Sequence, residues 1–220
     1  MAKVAVILSG CGFLDGAEIQ ESVFTLYFLD VAGAQVRCFA PNRDQMHVVD
    51  HLKGEPTDET RNVLVESARI ARGAVEELSG LKMDEFDALV MPGGFGVAKN
   101  LSEFATKGAD ASVDEDLVRV VGEAHRAGKP IGAICISPAV LAAALKQVGS
   151  SATLTIGNDE GTASAVEALG STHQACPVNE AVFDAEHKIA STPAYMLGPG
   201  PKGVAAGIQK TVEQVLAWID

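Results

Sequence analysis

Three predicted strand ends carry the side chains of this sequence that could do chemistry. The stretch "GAICISPAVLAAAL" places Cys135 between an apolar run and a helical run that begins with proline. After the first apolar run of the chain, "SGCGFLDGAE" adds Cys11, Asp15 and Glu18. A third run ends in "PGGFG", a turn with accessible backbone amides. A thiol, a carboxylic acid and backbone donors are the parts of a cysteine-dependent enzyme.

Cys135 is the candidate nucleophile, because it lies just before a predicted helix start. Ser137 is the expected N-cap of that helix and Pro138 its first residue. A free thiol with a pKa of about 8.5 is mostly protonated at neutral pH, and a helix N-terminus lowers that pKa. A buried cysteine is nevertheless more often a small core residue than a nucleophile. Both interpretations of Cys135 stay open on local pattern alone.

The turn and the residue after the cysteine supply possible oxyanion donors. The amides of Gly94 and Ile136 are the expected pair, and Gly93 and Gly94 let the backbone approach without a Cβ atom. Glu18 is either the acid that serves the thiol or a solvated carboxylate in the first turn of a helix.

Alternating strands and helices must position these groups. The pattern predicts a single α/β domain over residues 1–220, with a mostly parallel sheet and helices on both faces. In such sheets the ligand crevice lies outside the carboxyl ends of the strands. The strands are predicted at 4–10, 34–41, 88–91, 129–136 and 152–157, with a late hairpin that turns at 184–188. The helices are predicted at 60–73, 113–128, 137–149, 162–170 and 203–220.

One more helix is predicted directly after the first strand end. Its apolar residues with helical spacing are Ile19, Val23, Leu26, Tyr27 and Val31, and these are expected to face the core. The polar segment 42–59 is left open, with a short hairpin around Gly54 as one interpretation.

Composition excludes several classes of function. The net charge is −12 and the chain has no basic stripe, which argues against a nucleic-acid partner. No apolar stretch reaches the length of about 18 residues that spans a bilayer, so we expect no membrane segment and take the cytoplasm as the default compartment. The four cysteines share no C-x-x-C spacing, and the glycine-rich turn matches no nucleotide fingerprint. We therefore expect no metal and no cofactor.

Several motifs together strongly resemble the ElbB/ES1 family, a branch of the DJ-1/PfpI superfamily. They are "VILSGCGFLDGAEIQES", "MPGGFGVAKNLSEFA", "GKPIGAICISPAVL", "LTIGNDEGTA" and "STPAYML", and they follow in order over nearly the whole chain. The resemblance implies a class I glutamine amidotransferase-like fold, which is a flavodoxin-like three-layer sandwich. It also implies that Cys135 occupies the nucleophile elbow and that Glu18 hydrogen-bonds the thiol. By the same match, Cys11, Asp15 and Asn100 are expected near the pocket.

The resemblance also implies an activity. Similar proteins are described as glutathione-independent glyoxalases, which are lyases that turn the small dicarbonyl glyoxal into glycolate without a cofactor. Homodimers are common in the superfamily, and the ES1 branch includes mitochondrial proteins of eukaryotes. On this basis Cys135 adds to the aldehyde and Glu18 moves a proton between the two carbons.

Two alternatives use the same features. One is a redox-sensing or stress-response protein whose Cys135 is oxidised as a signal, with Cys11 either a resolving thiol or a small structural residue. The other is an accessory protein of isoprenoid biosynthesis. Where related enzymes have a histidine directly after the cysteine, this chain has Ile136, so a cysteine–histidine dyad and glutaminase activity are not expected.

Overall fold

Seven strands form the central sheet of the protein. The structure is a computed structural model and describes residues 1–198 and 200–219. Across the sheet the strand order is β10-β11-β7-β6-β1-β2-β5, and every neighbouring pair is parallel except β10 and β11. The seven strands are β1 (Lys3–Ile7), β2 (Gln35–Ala40), β5 (Val75–Glu77), β6 (Ala88–Met91), β7 (Ile131–Ile134), β10 (Val182–Asp184) and β11 (Ile189–Thr192). Two short pairs lie outside this sheet: β3 (Val49–Asp50) with β4 (Glu55–Pro56), and β8 (Thr153–Leu154) with β9 (Thr172–His173).

Helices cover both faces of the sheet. The α-helices of the described residues are α1 (Ile19–Val31), α2 (Val63–Ile70), α3 (Phe95–Asn100), α4 (Phe104–Lys107), α5 (Glu115–Arg126), α6 (Ser137–Gln147), α7 (Glu160–Ala168) and α8 (Pro201–Ala217). Contacts join α1 to α8 and α2, while a second group joins α6 to α3, α5 and α7. Short 3-10 turns occupy Leu78–Gly80, Met83–Glu85, Gly108–Asp110 and Ala194–Met196. This is the predicted three-layer, flavodoxin-like arrangement.

The central strands are apolar throughout, as expected for a sheet covered on both sides. Every residue of β6 and β7 is buried, and so are all residues of β1 after Lys3. Their side chains belong to one hydrophobic core that extends from Val4 to Val215. The predicted strand at 88–91 and the hairpin at 184–188 are confirmed, and β5 and α3 are elements that the pattern did not identify.

The polar segment between β2 and α2 folds back over the β1–α1 loop. We call residues 42–62 the flap. It contains the β3–β4 hairpin, and the turn of this hairpin includes Gly54, which agrees with the short hairpin that one interpretation placed there. Two buried side chains hold the flap. The Asp15 carboxylate accepts a hydrogen bond from the Val49 amide at 2.7 Å, and Asn100 Oδ1 accepts one from the Met46 amide at 2.9 Å.

The prediction for the inner face of α1 is wrong for four of its five residues, and only Leu26 packs against the core. The helix forms at the predicted place, but its buried residues are Glu21, Ser22, Thr25 and Leu29. The apolar residues Ile19, Val23, Tyr27 and Val31 are exposed, at 46%, 47%, 58% and 66%. Burial of the polar face is possible because the Ser22 and Thr25 hydroxyls donate to helix carbonyls at 2.7 and 2.8 Å.

The end of the chain follows the prediction in part. Helix α8 buries Val212 and Val215, while Leu216 and Ile219 pack at the edge of the core. Asp220, with which the predicted helix was to end, lies outside the described residues. No helix in the described ranges has the length and hydropathy needed to cross a membrane.

Candidate active site

Cys135 occupies the sharp corner between β7 and α6. Its φ angle is +64°, a left-handed conformation that is unusual for any residue except glycine and that marks a strained corner. The corner is held because the Cys135 amide donates to the Thr192 carbonyl at 2.9 Å. The expected N-cap is off by one residue, because Ile136 is the N-cap and Ser137 is the first residue of α6. The Ser137 hydroxyl donates to the Pro92 carbonyl at 2.7 Å instead of capping the helix.

The carboxyl group that contacts the thiol belongs to Glu21. Its side chain is fully buried and hydrogen-bonded to Cys135. Glu21 Oε2 accepts a hydrogen bond from the Gly93 amide and Oε1 one from the Tyr195 amide, both at 3.1 Å. The two backbone donors therefore fix the orientation of the carboxyl group and leave it directed at the sulfur.

The expected role of Glu18 as the hydrogen-bond partner of the thiol is wrong in this structure. Glu18 is the N-cap of α1, and its Oε2 accepts a hydrogen bond from the Glu21 amide at 2.6 Å. It is half-buried at the rim of the site, and burial raises the pKa of its carboxyl group. Glu21 is one turn further along the helix, where side chains point into the core instead of along the helix start.

Burial controls the ionisation of both groups in the pair. Desolvation, together with the nearby charge of Glu18, raises the pKa of Glu21 to about 8. Desolvation and the Glu21 charge raise the pKa of the Cys135 thiol well above its ordinary value. The expectation of a lowered pKa for Cys135 is therefore wrong. The helix start does act in the predicted direction, but removal from water has the larger effect.

The two expected backbone donors do lie at the sulfur. The amides of Gly94 and Ile136 both hydrogen-bond Cys135 and lower its pKa. Gly94 has a φ of +101° and is the N-cap residue of α3. A Cβ atom on Gly93 would stand 2.6 Å from Glu21 Oε2 and would overlap the Cys135 side chain. Glycine is therefore required at position 93 for the pair to meet.

A cavity of about 500 Å³ opens in front of the sulfur. Its polar or ionisable lining residues other than Cys135 are Glu18, Asp159, Thr162 and Tyr195. Apolar residues form the rest of the wall, namely Phe13, Gly94, Phe95, Ala98, Phe104, Ala105, Ile136 and Met196. Cys135 itself is 7% exposed, so the thiol is reached only through this cavity.

Three other predicted pocket residues lie elsewhere. Cys11, Asp15 and Asn100 do not line the Cys135 cavity. Cys11 lies near Glu66 of α2, and its pKa is raised by burial and by that charge. Asp15 and Asn100 anchor the flap instead, because Asn100 Nδ2 also donates to the carbonyls of Ser9 and Asp15 at 2.9 and 2.8 Å. Cys11 and Asp15 follow β1, and Asn100 is the last residue of α3. The match to the family pattern had placed all three near the pocket.

Glu21 is the functional residue that sequence reasoning missed. The apolar stripe on α1 indicated the opposite face, and only the spacing of Glu21, Thr25 and Leu29 marks the buried side. Within residues 1–198 and 200–219, no group of three or more histidine, cysteine or acidic residues has metal-binding geometry. No histidine of the described chain lines the cavity.

Comparisons with known proteins give a family and several similar chains. The DJ-1/PfpI family matches residues 3–160. The human mitochondrial "glutamine amidotransferase-like class 1 domain-containing protein 3" is 45% identical over 225 residues, covering 98% of this chain and 82% of the relative. The rat mitochondrial "ES1 protein homolog" is 46% identical, with 98% and 83% coverage. Both of these relatives are named as mitochondrial proteins.

A solved structure extends the likeness to the whole fold. The isoprenoid biosynthesis protein with an amidotransferase-like domain from Ehrlichia chaffeensis superposes with a TM-score of 0.94 at 41% identity, covering 100% of both chains. The chain therefore belongs to the DJ-1/PfpI family, in its ElbB/ES1 branch, and has the class I glutamine amidotransferase-like fold.

Proposed function

We propose that this protein is a glutathione-independent glyoxalase, a lyase that converts glyoxal into glycolate with Cys135 as nucleophile. The observation that carries the proposal is the pairing of the strained Cys135 corner with the buried Glu21 carboxyl group. A base beside a thiol activates it without any histidine. Because the pKa of Glu21 is about 8, a fraction of the carboxyl group is ionised at neutral pH and can take the thiol proton.

The first step joins sulfur to carbon. Glu21 removes the thiol proton as the sulfur attacks one aldehyde carbon of glyoxal, and the electron pair of the C=O double bond moves to oxygen. The amides of Gly94 and Ile136, which already face the sulfur, lie beside the oxyanion that forms. Glu21 then returns its proton to that oxygen, which gives a hemithioacetal.

The second step is an internal oxidation and reduction. Glu21 moves the C–H proton of the carbon that bears sulfur to the carbonyl oxygen of the neighbouring carbon, and an enediol forms across the two carbons. Glu21 then takes the proton of the hydroxyl group on the sulfur-bearing carbon and delivers it to the neighbouring carbon, which leaves a thioester of glycolate on Cys135. Water cleaves the thioester, so that glyoxal and one water become glycolate and one proton, with no external oxidant. The sequence-based hypothesis assigns this proton transfer to Glu18 instead.

Matched variants test the assignment. Purified protein is given glyoxal without glutathione, and glycolate is measured over time. We expect Cys135→Ala to abolish turnover and Glu21→Gln to lower kcat by roughly 100-fold or more, in the range typical of lost general-base catalysis. Glu18→Gln should cost less than about tenfold, because Glu18 lines the cavity without touching the sulfur. Cys176→Ser is the control for removal of an unrelated thiol.

Two results would refute the scheme. Full activity in Cys135→Ala would show that Cys135 is not the nucleophile. An equal loss of activity in Glu18→Gln and Glu21→Gln would show that Glu21 is not the specific base. The redox-sensing alternative stays a prediction, and it requires sulfinate at Cys135 after mild peroxide in a protein that turns over no glyoxal. The accessory role in isoprenoid biosynthesis also stays a prediction. A protein that neither turns over glyoxal nor oxidises at Cys135 would favour that role.

A further inference from the structure

The cavity in front of Cys135 is much larger than glyoxal. Glyoxal has four non-hydrogen atoms, whereas the cavity measures about 500 Å³, within the range of roughly 300–1,000 Å³ found for sites that bind drug-sized ligands. A glyoxal molecule bound to the sulfur would leave most of this volume to water. Water that stays in a site weakens the electrostatic stabilisation of the oxyanion.

Aromatic rings form much of the cavity wall. Phe13, Phe95, Phe104 and Tyr195 all line it, and Met196 adds a flexible apolar side chain. Phe13 and Phe95 are about half exposed in the free protein, at 48% and 49%. Such rings are stabilised when an apolar ligand covers them. The wall thus offers binding free energy that a two-carbon substrate cannot use.

The residues that line the cavity are either uncharged or acidic. Among the described residues no lysine or arginine lines it, whereas Glu18 and Asp159 both do. Asp159 is the N-cap of α7 and accepts a hydrogen bond from the Thr162 amide at 2.8 Å. The Thr162 hydroxyl and that bond lower the pKa of its carboxyl group, so Asp159 stays ionised. The nearby Lys99 Nζ lies 5.5 Å from the centroid of the Phe95 ring and donates to the Leu14 carbonyl, so it is outside the lining. An anionic substrate would therefore meet repulsion from Glu18 and Asp159 and no cation in the cavity wall.

We propose that the Cys135 cavity selects neutral 1,2-dicarbonyl compounds with an aldehyde and an apolar or aromatic second substituent, in preference to glyoxal and to anionic analogues. Phenylglyoxal is the representative substrate. The inference rests on the proposed function, since it assigns the substrate class of the same nucleophile. The reaction stays balanced: sulfur adds to the aldehyde carbon, hydrogen moves to the ketone carbon, and water releases mandelate.

Relative kcat/KM values test the size preference. We expect wild-type protein to convert phenylglyoxal with roughly 10- to 100-fold higher kcat/KM than glyoxal, the range that apolar pocket contacts supply. Phe95→Ala should lower the phenylglyoxal-to-glyoxal ratio by about fivefold or more. Phe183→Ala is the matched control, because Phe183 is a similarly exposed phenylalanine, at 44%, and lies on edge strand β10 outside the cavity. Equal or faster turnover of glyoxal by wild type would overturn the inference.

A pair of isosteric substrates tests the charge preference. We expect 4-carbamoylphenylglyoxal, which is neutral, to be converted with about tenfold higher kcat/KM than 4-carboxyphenylglyoxal, which is anionic. Asp159→Asn should narrow this gap, because asparagine caps a helix as well as aspartate does but carries no charge. An unchanged gap in Asp159→Asn, or no gap in wild type, would contradict the role assigned to the negative rim.

A binding measurement separates failure of the inference from failure of the proposed function. If wild type converts no dicarbonyl, the proposed function is wrong, and calorimetry with unreactive analogues still tests the cavity. We then expect 2-hydroxyacetophenone to bind more tightly than hydroxyacetone, and Phe95→Ala but not Phe183→Ala to weaken binding of 2-hydroxyacetophenone. Equal binding of the two analogues would overturn the substrate preference independently of turnover.

Discussion

A single buried carboxyl group decides how the Cys135 site behaves. Glu21 is surrounded by protein, and two backbone amides and the thiol satisfy its oxygens. The amides favour its charged form, yet the effect of desolvation is larger than theirs and raises the pKa of Glu21 to about 8. The pKa of the Cys135 thiol is also raised. At neutral pH the pair is therefore mostly neutral, and only a fraction of the Glu21 carboxyl groups is ionised.

This shift makes Glu21 a source of pH-dependent stability. In the unfolded chain the carboxyl group loses its proton near the ordinary glutamate value of 4.5, while in the folded protein its pKa is about 8 and it keeps the proton up to that pH. Unfolding therefore releases a proton within this window, and the contribution of Glu21 to the free energy of unfolding falls as pH rises. The slope is at most about 1.4 kcal/mol per pH unit.

Urea unfolding at pH 5, 6, 7 and 8 measures the effect. We expect the free energy of unfolding of Glu21→Gln, relative to wild type, to rise steadily across this series by a few kcal/mol in all, an order-of-magnitude value. Any constant cost of the amide substitution cancels in the slope. Glu18→Gln is the control and should give a smaller change, because Glu18 is only half-buried. A pH-independent difference for Glu21→Gln would contradict the raised pKa.

At the scale of elements, helix starts and strand ends assemble the site. The turn after β6 supplies Gly93 and Gly94, the corner after β7 supplies Cys135, and α1 supplies Glu21. Each of these segments follows or faces the carboxyl end of a central strand. A site of this kind follows from the parallel sheet itself.

The flap is pinned to this framework by Asn100. Its side chain makes three hydrogen bonds to backbone groups, two as donor to Ser9 and Asp15 and one as acceptor from Met46. Asn100 is only 5% exposed, so water cannot replace these partners. Asn100→Asp keeps the shape but turns two attractive contacts with carbonyls into repulsive ones. We expect a loss of about 3 kcal/mol in the free energy of unfolding.

Limited proteolysis separates a local effect from a global one. Cleavage within the flap should become faster in Asn100→Asp, because a carboxylate at position 100 repels the Ser9 and Asp15 carbonyls and displaces the side chain that accepts from the Met46 amide. Asn179→Asp, at an exposed position ahead of β10, is the control. Unchanged stability together with unchanged cleavage of the flap would show that Asn100 does not hold this segment.

Sequence patterns predicted the elements better than their orientation. The strands at Ala88–Met91 and Ile131–Ile134 were found because a doubly covered strand is continuously apolar. The α1 helix was predicted from the helical spacing of its apolar residues, but the face predicted to be buried is largely the exposed one. Periodicity identifies a stripe and cannot tell whether the core or another surface covers it. Glu18 was chosen over Glu21 through its match to the family pattern, which carries no information on which side chain reaches the sulfur. Cys135 was singled out by its place between a strand and a helix, but only the resemblance to the family favoured the nucleophile over a core thiol.

At the scale of the whole molecule, the exposed apolar face of α1 stands out on an acidic surface. We call Ile19, Val23, Tyr27 and Val31 the α1 stripe. These residues are spaced by four and extend over about 18 Å of helix. Among the exposed residues of α1 only Asp30 is charged. In a chain of net charge −12, two copies that approach through most other surfaces would bring like charges together.

The occupant of the α1 stripe is therefore predicted to be a second copy of this chain. A two-fold dimer places the same patch on both sides of the interface, and an uncharged stripe can face itself without repulsion. We expect sedimentation velocity to show a dimer for wild type and a monomer for Val23→Glu, which introduces opposed carboxylates at the centre of the stripe. Leu52→Glu, at a residue that is 94% exposed on the flap, should stay dimeric. A monomeric wild type, or a dimeric Val23→Glu variant, would contradict the prediction that a second copy of this chain binds the α1 stripe.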